Sequence, residues 1–202
     1  MVSMQSASIR ARGAATQNRI LEKAVHIASV EGLEAMSLAT LAKATAMSKS
    51  GLFAHFRSKE ALQIAIIDEA ERIFLEAVVR PSGEAPPGKL RLQTLLAAYV
   101  DYCARGPFEG GCFFAAAAHE FDGRPGPVRD RIAAFFATWN AQLKQAAAQV
   151  FDPADADRLV FEINAIGLGV NFTSQIGVGP DTARRLGGEA VRALLLGLAA
   201  DG

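Results

Sequence analysis

The sequence of 202 residues predicts an all-α fold. Apolar residues recur at helical spacing along nearly the whole chain, and no convincing run of strict alternation rich in β-branched residues is present. Glycine, proline and capping residues divide this pattern into nine segments. We therefore expect nine helices, three of them in an N-terminal head and the others in a larger body.

Three helices are predicted for the head. The first covers about Thr16–Glu31, and Gly32 is suited to end it in a left-handed conformation. The second covers Ser37–Thr45 and the third Ser48–His55, each with a serine as its N-cap. The inward face of the first helix carries Ile20, Leu21, Ala24, Ile27 and Ala28.

The body is predicted to begin with one long helix. Ser58 caps it, and we expect it to run to Arg80, where Pro81 ends it because proline cannot continue a helix. Its apolar stripe contains Leu62, Ile66, Ala70, Ile73 and Ala77. The remaining helices are predicted at about residues 89–105, 112–121, 127–150, 153–177 and 181–200.

Charge is distributed unevenly between head and body, although the whole chain is neutral. Residues 1–60 carry eight Lys and Arg against four Glu, and residues 61–202 carry thirteen basic against seventeen acidic side chains. A basic head on an acidic body is compatible with contact between the head and nucleic acid.

The composition also indicates in which cellular compartment the protein works. Two cysteines cannot supply a disulfide framework, and apolar runs are interrupted by Arg, Glu or Gly before they reach membrane-spanning length. We expect a cytoplasmic protein that does not associate with a membrane.

Two short helices separated only by Ala46 and Met47, with a supporting helix before them, have the arrangement of a helix-turn-helix. In that motif the second helix enters the major groove of DNA. Other three-helix units show the same pattern, so the spacing alone leaves both interpretations open.

The residues of this stretch are more specific than its spacing. The segment MSLATLAKATAMSKSGLFAHFRSKEAL, residues 36–62, closely resembles the DNA-binding signature of the TetR family of transcriptional regulators, and the likeness extends over residues 16–75. The rest of the body is similar to the family only in its helix count and spacing. The resemblance implies a TetR-like architecture with a flexible arm (1–13), a DNA-binding domain (14–60) and a ligand-binding and dimerisation domain (61–202).

Function follows from the same resemblance. It implies a homodimeric repressor that binds an inverted-repeat operator in double-stranded DNA and is released by a small-molecule effector. The aromatic residues of the middle helices, which are candidates for the effector site, are accompanied by few charges, so we expect a largely apolar effector. The alternative is an effector-independent DNA-binding protein that acts through protein partners.

The DNA-contacting side chains are assigned from the third helix. Leu52 and Phe56 lie four residues apart and are expected to face the core of the head, which turns Lys49 outward toward phosphate or guanine. Phe53 stands where the family usually has Tyr, so a hydroxyl contact to phosphate is missing. The candidate DNA-binding residues are Thr40, Ser48, Lys49, Ser50, Gly51, Phe53, His55, Ser58 and Lys59. Before the first helix, Arg10 and Arg12 either follow the minor groove or belong to a terminus with incidental charge.

Aromatic residues gather in the middle helices and predict either a ligand pocket or a filled core. The candidate pocket residues are Tyr99, Tyr102, Phe113, Phe114, His119, Phe135, Trp139, Asn171 and Gln175. The long helix after the head is expected to couple this pocket to the DNA, because it contributes to both.

The last two helices are predicted to pair across a two-fold axis. The candidate interface residues are Ile163, Ile166, Gly167, Val170, Ser174, Leu194, Leu195 and Leu198. Packing of these residues within one chain is the alternative.

Catalysis and metal binding are not expected. No nucleophile elbow, phosphate-binding loop or zinc-protease motif is present, and His119 has no partner at ligand spacing, so we predict no enzyme activity, metal or cofactor. Cys103 and Cys112 flank a glycine-containing loop and are interpreted as either small buried apolar residues or a redox pair.

Overall fold

The computed structural model describes the backbone of residues 2–200 and the side chains of residues 13 and 15–200. Over residues 2–200 it contains nine helices and no strand, if the consecutive segments between residues 59 and 83 are counted as one helix, and this confirms the predicted fold class. The helices are α1 (Val2–Glu31), α2 (Leu38–Thr45), α3 (Lys49–Phe53), α4 (59–83), α5 (Lys89–Arg105), α6 (Phe113–Phe121), α7 (Pro127–Ala147), α8 (Pro153–Ile176) and α9 (Pro180–Ala200).

The serine caps of the head are confirmed. Ser37 Oγ accepts a hydrogen bond from the Thr40 amide at 3.1 Å, and Ser48 Oγ accepts one from the Gly51 amide at 3.1 Å. Each cap satisfies an amide that has no partner inside its helix. Between the two helices Ala46 adopts φ 55°, a left-handed conformation that lets the chain reverse sharply into α3.

The core of the head lies between α1, α2, α3 and the start of α4. Leu52 and Phe56 are buried, as predicted, next to Leu41 and Leu62. The helix α1 begins at Val2 rather than near Thr16, while the side chains of Arg10 and Arg12 lie outside the described residues. Their assignment to a minor-groove arm therefore stays a prediction.

The long helix α4 does not end at Pro81, and this prediction was wrong. It consists of an α-helical segment Lys59–Phe74, a π-helical turn Leu75–Val79 and a final segment Arg80–Gly83. The π turn widens the helix just before the proline, so the ring and the missing N–H of Pro81 are accommodated in the first turn of the final segment. The buried residues of this stretch are Phe74 and Val78 and not the predicted Ile73 and Ala77, and Phe74 lies in the α-helical segment before the π turn.

The body is a helical bundle whose centre is α8. This helix packs against α9, α5 and α7, while α4 packs against α7 and α5 covers the π turn. The short helix α6 packs on α7 and also reaches α1, so it joins the body to the head. Among the described residues, no helix is both long and apolar enough to cross a membrane.

Candidate DNA-binding surface and ligand cavity

The exposed face of α3 carries the side chains that the sequence assigned to DNA. Lys49, Ser50 and Phe53 are exposed, and Gly51 is half-buried. Within residues 15–200, no ion pair engages the Lys49 ammonium. Leu52 on the opposite face holds α3 against the head, so these groups project away from the protein together.

Several other predicted contact residues already serve the local fold. Ser48 and Ser58 cap α3 and α4, and the Ser58 Oγ accepts the Ala61 amide at 3.0 Å. The Thr40 hydroxyl lies 3.0 Å from that of Ser37. Their hydroxyls are therefore partly used before DNA arrives, although an exposed serine oxygen retains further hydrogen-bonding capacity.

Lys59 differs from its predicted role. Its ammonium donates to Glu34 Oε1 at 2.9 Å, so in this structure it joins α4 to the turn after α1 instead of projecting freely toward phosphate. The hydrogen bond from Lys59, helped by one from Gln63, holds the pKa of the Glu34 carboxyl below its ordinary value in spite of partial burial. Because the pair is nearly half exposed, it contributes little to the free energy of unfolding.

Two residues beside α3 complete the basic surface. The His55 ring is half-buried, with its centroid 6.3 Å from that of Phe56. Arg57 is exposed between α3 and α4, and the sequence reasoning did not single it out. The signal was its position within the run His55-Phe56-Arg57-Ser58-Lys59, where the neighbouring polar residues were all chosen.

A cavity of about 230 Å³ lies in the body, between α4, α5, α6, α7 and α8. Its deep walls are buried and mostly aromatic: Phe74, Tyr99, Cys103, Cys112, Phe114, Phe135 and Trp139. Its mouth is more polar and includes His119, Asp122, Asn164 and Leu168. Apolar walls with a few polar groups at one side are typical of a site for a small organic molecule.

The cavity brings together five of the nine predicted pocket residues, namely Tyr99, Phe114, His119, Phe135 and Trp139. Tyr102 and Phe113 are buried but do not line it. Asn171 accepts the Cys112 amide at 2.7 Å and thereby fixes the start of α6, and Gln175 lies on Gly111. These four residues support the walls instead of forming them.

Phe74 is the central cavity residue that sequence reasoning missed. Its ring makes edge-to-face contacts with five aromatic rings, including those of Trp139 at 5.1 Å and Phe135 at 5.0 Å between centroids. The sequence signal that could have identified Phe74 is its position four residues after Ala70, on the same face of the helix. The predicted stripe passed through Ile73, three residues after Ala70, because helical spacing allows an inward residue either three or four positions later.

Helix α6 lies between the cavity and the head. His119 lines the mouth of the cavity, and the adjacent Glu120 Oε2 accepts the Glu34 amide of the head at 3.1 Å. Glu120 also fills the space above Gly32, which has φ +91° and no side chain. One turn of α6 therefore contacts both the candidate ligand site and the segment that leads from α1 to α2.

The loop before α6 makes a second junction with the head. Gly110 approaches the Ser29 carbonyl of α1 so closely that no Cβ fits between them. The Phe108 ring packs edge-to-face on His26, with 5.4 Å between centroids. Movement of α6 or of this loop therefore has to be transmitted to α1.

Most of the predicted dimer residues face the interior of their own chain, which contradicts their assignment to an exposed surface. Buried side chains belong to Ile163, Val170, Leu194 and Leu198, and Gly167 lies against the Tyr99 ring. Two others, Ile166 and Leu195, are half-buried against the core, and the Ser174 hydroxyl donates to the Ala104 carbonyl. These residues form the stripe by which α8 and α9 pack on α5.

A second apolar stripe on the same two helices is exposed. On α8 it contains Phe161, Ala165, Leu168, Phe172 and Ile176, and on α9 it contains Leu186, Ala190 and Ala193. Phe172 is 63% exposed and Ile176 75%. We call this set the α8–α9 face.

No group of three or more His, Cys, Asp or Glu side chains with the arrangement of a metal site occurs among the described residues. Several ionisable groups of the body form ordinary ion pairs, such as Arg131 with Asp68 and Glu71, which joins α7 to α4.

Comparison with family models gives two matches. The model "Bacterial regulatory proteins, tetR family" matches residues 20–66, and the model "Tetracyclin repressor-like, C-terminal domain" matches residues 88–186. The first match covers the head, and the second covers the region that holds most of the cavity and the α8–α9 face. No curated protein sequence matches the chain significantly.

Solved structures with the same fold include three regulators. A TetR-family transcriptional regulator from Streptomyces coelicolor has a TM-score of 0.78 at 21% identity, over 91% of this chain and 96% of that one. AibR, in complex with isovaleryl coenzyme A and operator DNA, has a TM-score of 0.67 at 23% identity, over 86% and 97% of the chains. A transcriptional regulator from Saccharomonospora viridis in complex with choline has a TM-score of 0.72 at 16% identity, over 89% and 96%.

Proposed function

Because the chain belongs to the TetR family of DNA-binding transcriptional regulators, we propose that it is a homodimeric repressor that a small, largely apolar ligand releases from its operator. The family and its structural neighbours are regulators and not enzymes. Since the target of the proposed activity is DNA, we expect the protein to work in the cytoplasm.

The α3 surface supports the DNA-binding part of the proposal. Lys49 and Ser50 are suited to phosphate or guanine, and Phe53 to the methyl group of thymine. Gly51 keeps the backbone accessible beside them. Arg57 adds a positive charge at the edge of this surface, and phosphate contacts of this kind set affinity without reading sequence.

The α8–α9 face supports the dimer. Two helices per chain with exposed apolar stripes form a four-helix bundle when two chains pair across a two-fold axis. Exposed apolar stripes of this kind on two packed helices are uncommon on a protein that stays monomeric. Leu168 lies both on this face and at the mouth of the cavity. Pairing of two chains through this face would therefore cover part of the cavity entrance.

The DNA-binding part is tested by selecting bound sequences from randomised duplexes and measuring the stoichiometry of the complex. We expect an inverted repeat bound by two chains, with half-sites about one helical turn apart, roughly 34–36 Å. A single non-palindromic site bound by one chain would contradict the proposal.

The observation that carries ligand control is on α6, where His119 lines the cavity and Glu120 holds the head. A ligand that fits the cavity better when α6 is displaced shifts the population toward a state with misplaced heads. Helix α4 provides a second route, because it begins in the head at Lys59 and reaches the cavity at Phe74.

Ligand binding is tested by screening apolar and aromatic metabolites for thermal stabilisation of the protein. We expect hits whose effect disappears in Ala118→Phe, which fills the cavity from α6, and persists in the matched control Ala137→Phe on the exposed side of α7. Equal stabilisation of both variants by every hit would show that the cavity is not the site. It would favour the effector-independent alternative.

A further inference from the structure

The two cysteines of the chain form one wall of the cavity. Cys103 lies in the last turn of α5, and Cys112 is the residue immediately before α6. The loop between them brings the two buried thiols close to each other in the same wall. The Asn171 side chain fixes the backbone of Cys112 from α8.

Cys112 has the surroundings of a reactive thiol. It occupies the N-cap position of α6, near the Cys103 thiol and the first-turn amides of Ala115 and Phe114. These donors lower the pKa of the Cys112 thiol although burial opposes them. Interaction with Cys112 and burial raise the pKa of Cys103.

A buried polar group without a hydrogen-bond partner lies near the two cysteines. The Tyr102 hydroxyl is buried without a hydrogen-bond partner among the described residues, and it interacts electrostatically with both cysteines. Two cysteines and the start of α6 therefore meet in the cavity wall, next to a buried hydroxyl that has no partner among the described residues and does not line the cavity.

Access to Cys112 is selective. Both thiols are shielded from bulk water, and the cavity gives them an approach lined by Phe114, Phe135 and Trp139. Flat, apolar molecules fit between such rings. We propose that Cys112 adds covalently to an apolar α,β-unsaturated carbonyl compound of the quinone class held in the cavity, and that this adduct is an effector; the regulatory part rests on the function proposed above.

The addition needs no oxidant or reductant. The Cys112 sulfur attacks a ring carbon conjugated to a carbonyl, the π electrons move to the carbonyl oxygen, and that oxygen takes up the proton that the thiol lost. The hydrogen of the attacked carbon then moves to the second oxygen and restores the aromatic ring. Thiol plus quinone thus gives a thioether-linked hydroquinone, with all atoms and electrons retained.

The adduct is placed where it affects the head. It is attached at the first residue before α6, and the far end of the same helix holds the head through Glu120. A ring inserted at one end of a helix of nine residues displaces the other end. The expected consequence is a loss of operator affinity of about tenfold or more.

The test treats the full chain with 1,4-benzoquinone without oxygen and follows intact mass, the modified peptide and operator binding. We expect one quinone on Cys112, faster labelling by benzoquinone than by a maleimide attached to a long polyethylene glycol, and weaker operator binding. Cys112→Ser should lose the adduct and the release, and Cys103→Ser should still be modified at residue 112. Each variant is first checked for folding and for operator binding without quinone.

The mass measurement needs no DNA, so the two proposals fail separately. An untreated protein that binds no operator contradicts the proposed function, whatever its mass. An unmodified Cys112, an adduct on Cys103 instead, or a mass loss of two hydrogens from a disulfide would overturn the covalent inference. An adduct on Cys112 that leaves operator binding unchanged would overturn its role as an effector.

Discussion

Substitution of Gly110 tests the junction between body and head. A Cβ at this position would overlap the Ser29 carbonyl group and lie 3.0 Å from the Val30 nitrogen, and both are backbone groups that cannot rotate away. Ordinary contacts of carbon need about 3.5–4.0 Å, and the Ser29 carbonyl oxygen is the nearest atom, so α1 and the loop must separate by roughly 1.5 Å or more. Such overpacking costs about 1–3 kcal/mol, and 2 kcal/mol corresponds to a fall in Tm of roughly 4–8 °C at this chain length.

The matched control is Gly123→Ala, because no atom lies within 4 Å of the Cβ that this change adds. We expect Gly110→Ala to lower the Tm as stated and to weaken operator binding by about tenfold, since α1 carries the head. The Tm of Gly123→Ala should stay within about 1–2 °C of that of the unaltered protein. Equal Tm and equal operator affinity for the two variants would refute the close contact and its role.

Three further predictions concern the DNA surface and the dimer. Lys49→Ala should weaken operator binding and, if its contact is to phosphate, lower the slope of log affinity against log salt by about one; an unchanged slope and affinity would show that Lys49 does not contact DNA. Ser48→Ala should lower the free energy of unfolding by about 0.5–2 kcal/mol through loss of the α3 cap, and denaturant titration measures this. Phe172→Asp should convert the dimer to a monomer, and analytical sedimentation measures this. Leu90 is a similarly exposed apolar residue on α5, and Leu90→Asp should leave the protein dimeric.

The parts of the fold that sequence predicted well are those that depend on local interactions. The caps Ser37, Ser48 and Ser58 were identified because a serine oxygen satisfies an amide only two or three residues away. The inward positions of Leu52 and Phe56 followed from helical spacing alone. The end of α4 was predicted incorrectly because a π turn, and not the proline, decides how the helix continues.

The parts that sequence did not predict depend on long-range geometry. Helix α8 has two apolar stripes, and periodicity does not say which one packs inside the chain, so the inner stripe was taken for the interface. Asn171 was assigned to the pocket because it is polar and near aromatic residues, but it binds the amide of Cys112, 59 residues away in sequence. The contact of Glu120 with the head spans 86 residues of sequence and has no local sequence signal.

Reciprocal linkage between ligand and operator tests the central claim most directly. The measurement takes a compound whose stabilisation depends on the cavity and determines its Kd with and without operator DNA, and the Kd of the operator with and without the compound. We predict that each weakens the other by the same factor, within the range of about 5–150-fold typical of such coupling. Identical affinities in the presence and absence of the other partner, for every compound that binds the cavity, would contradict ligand-driven release.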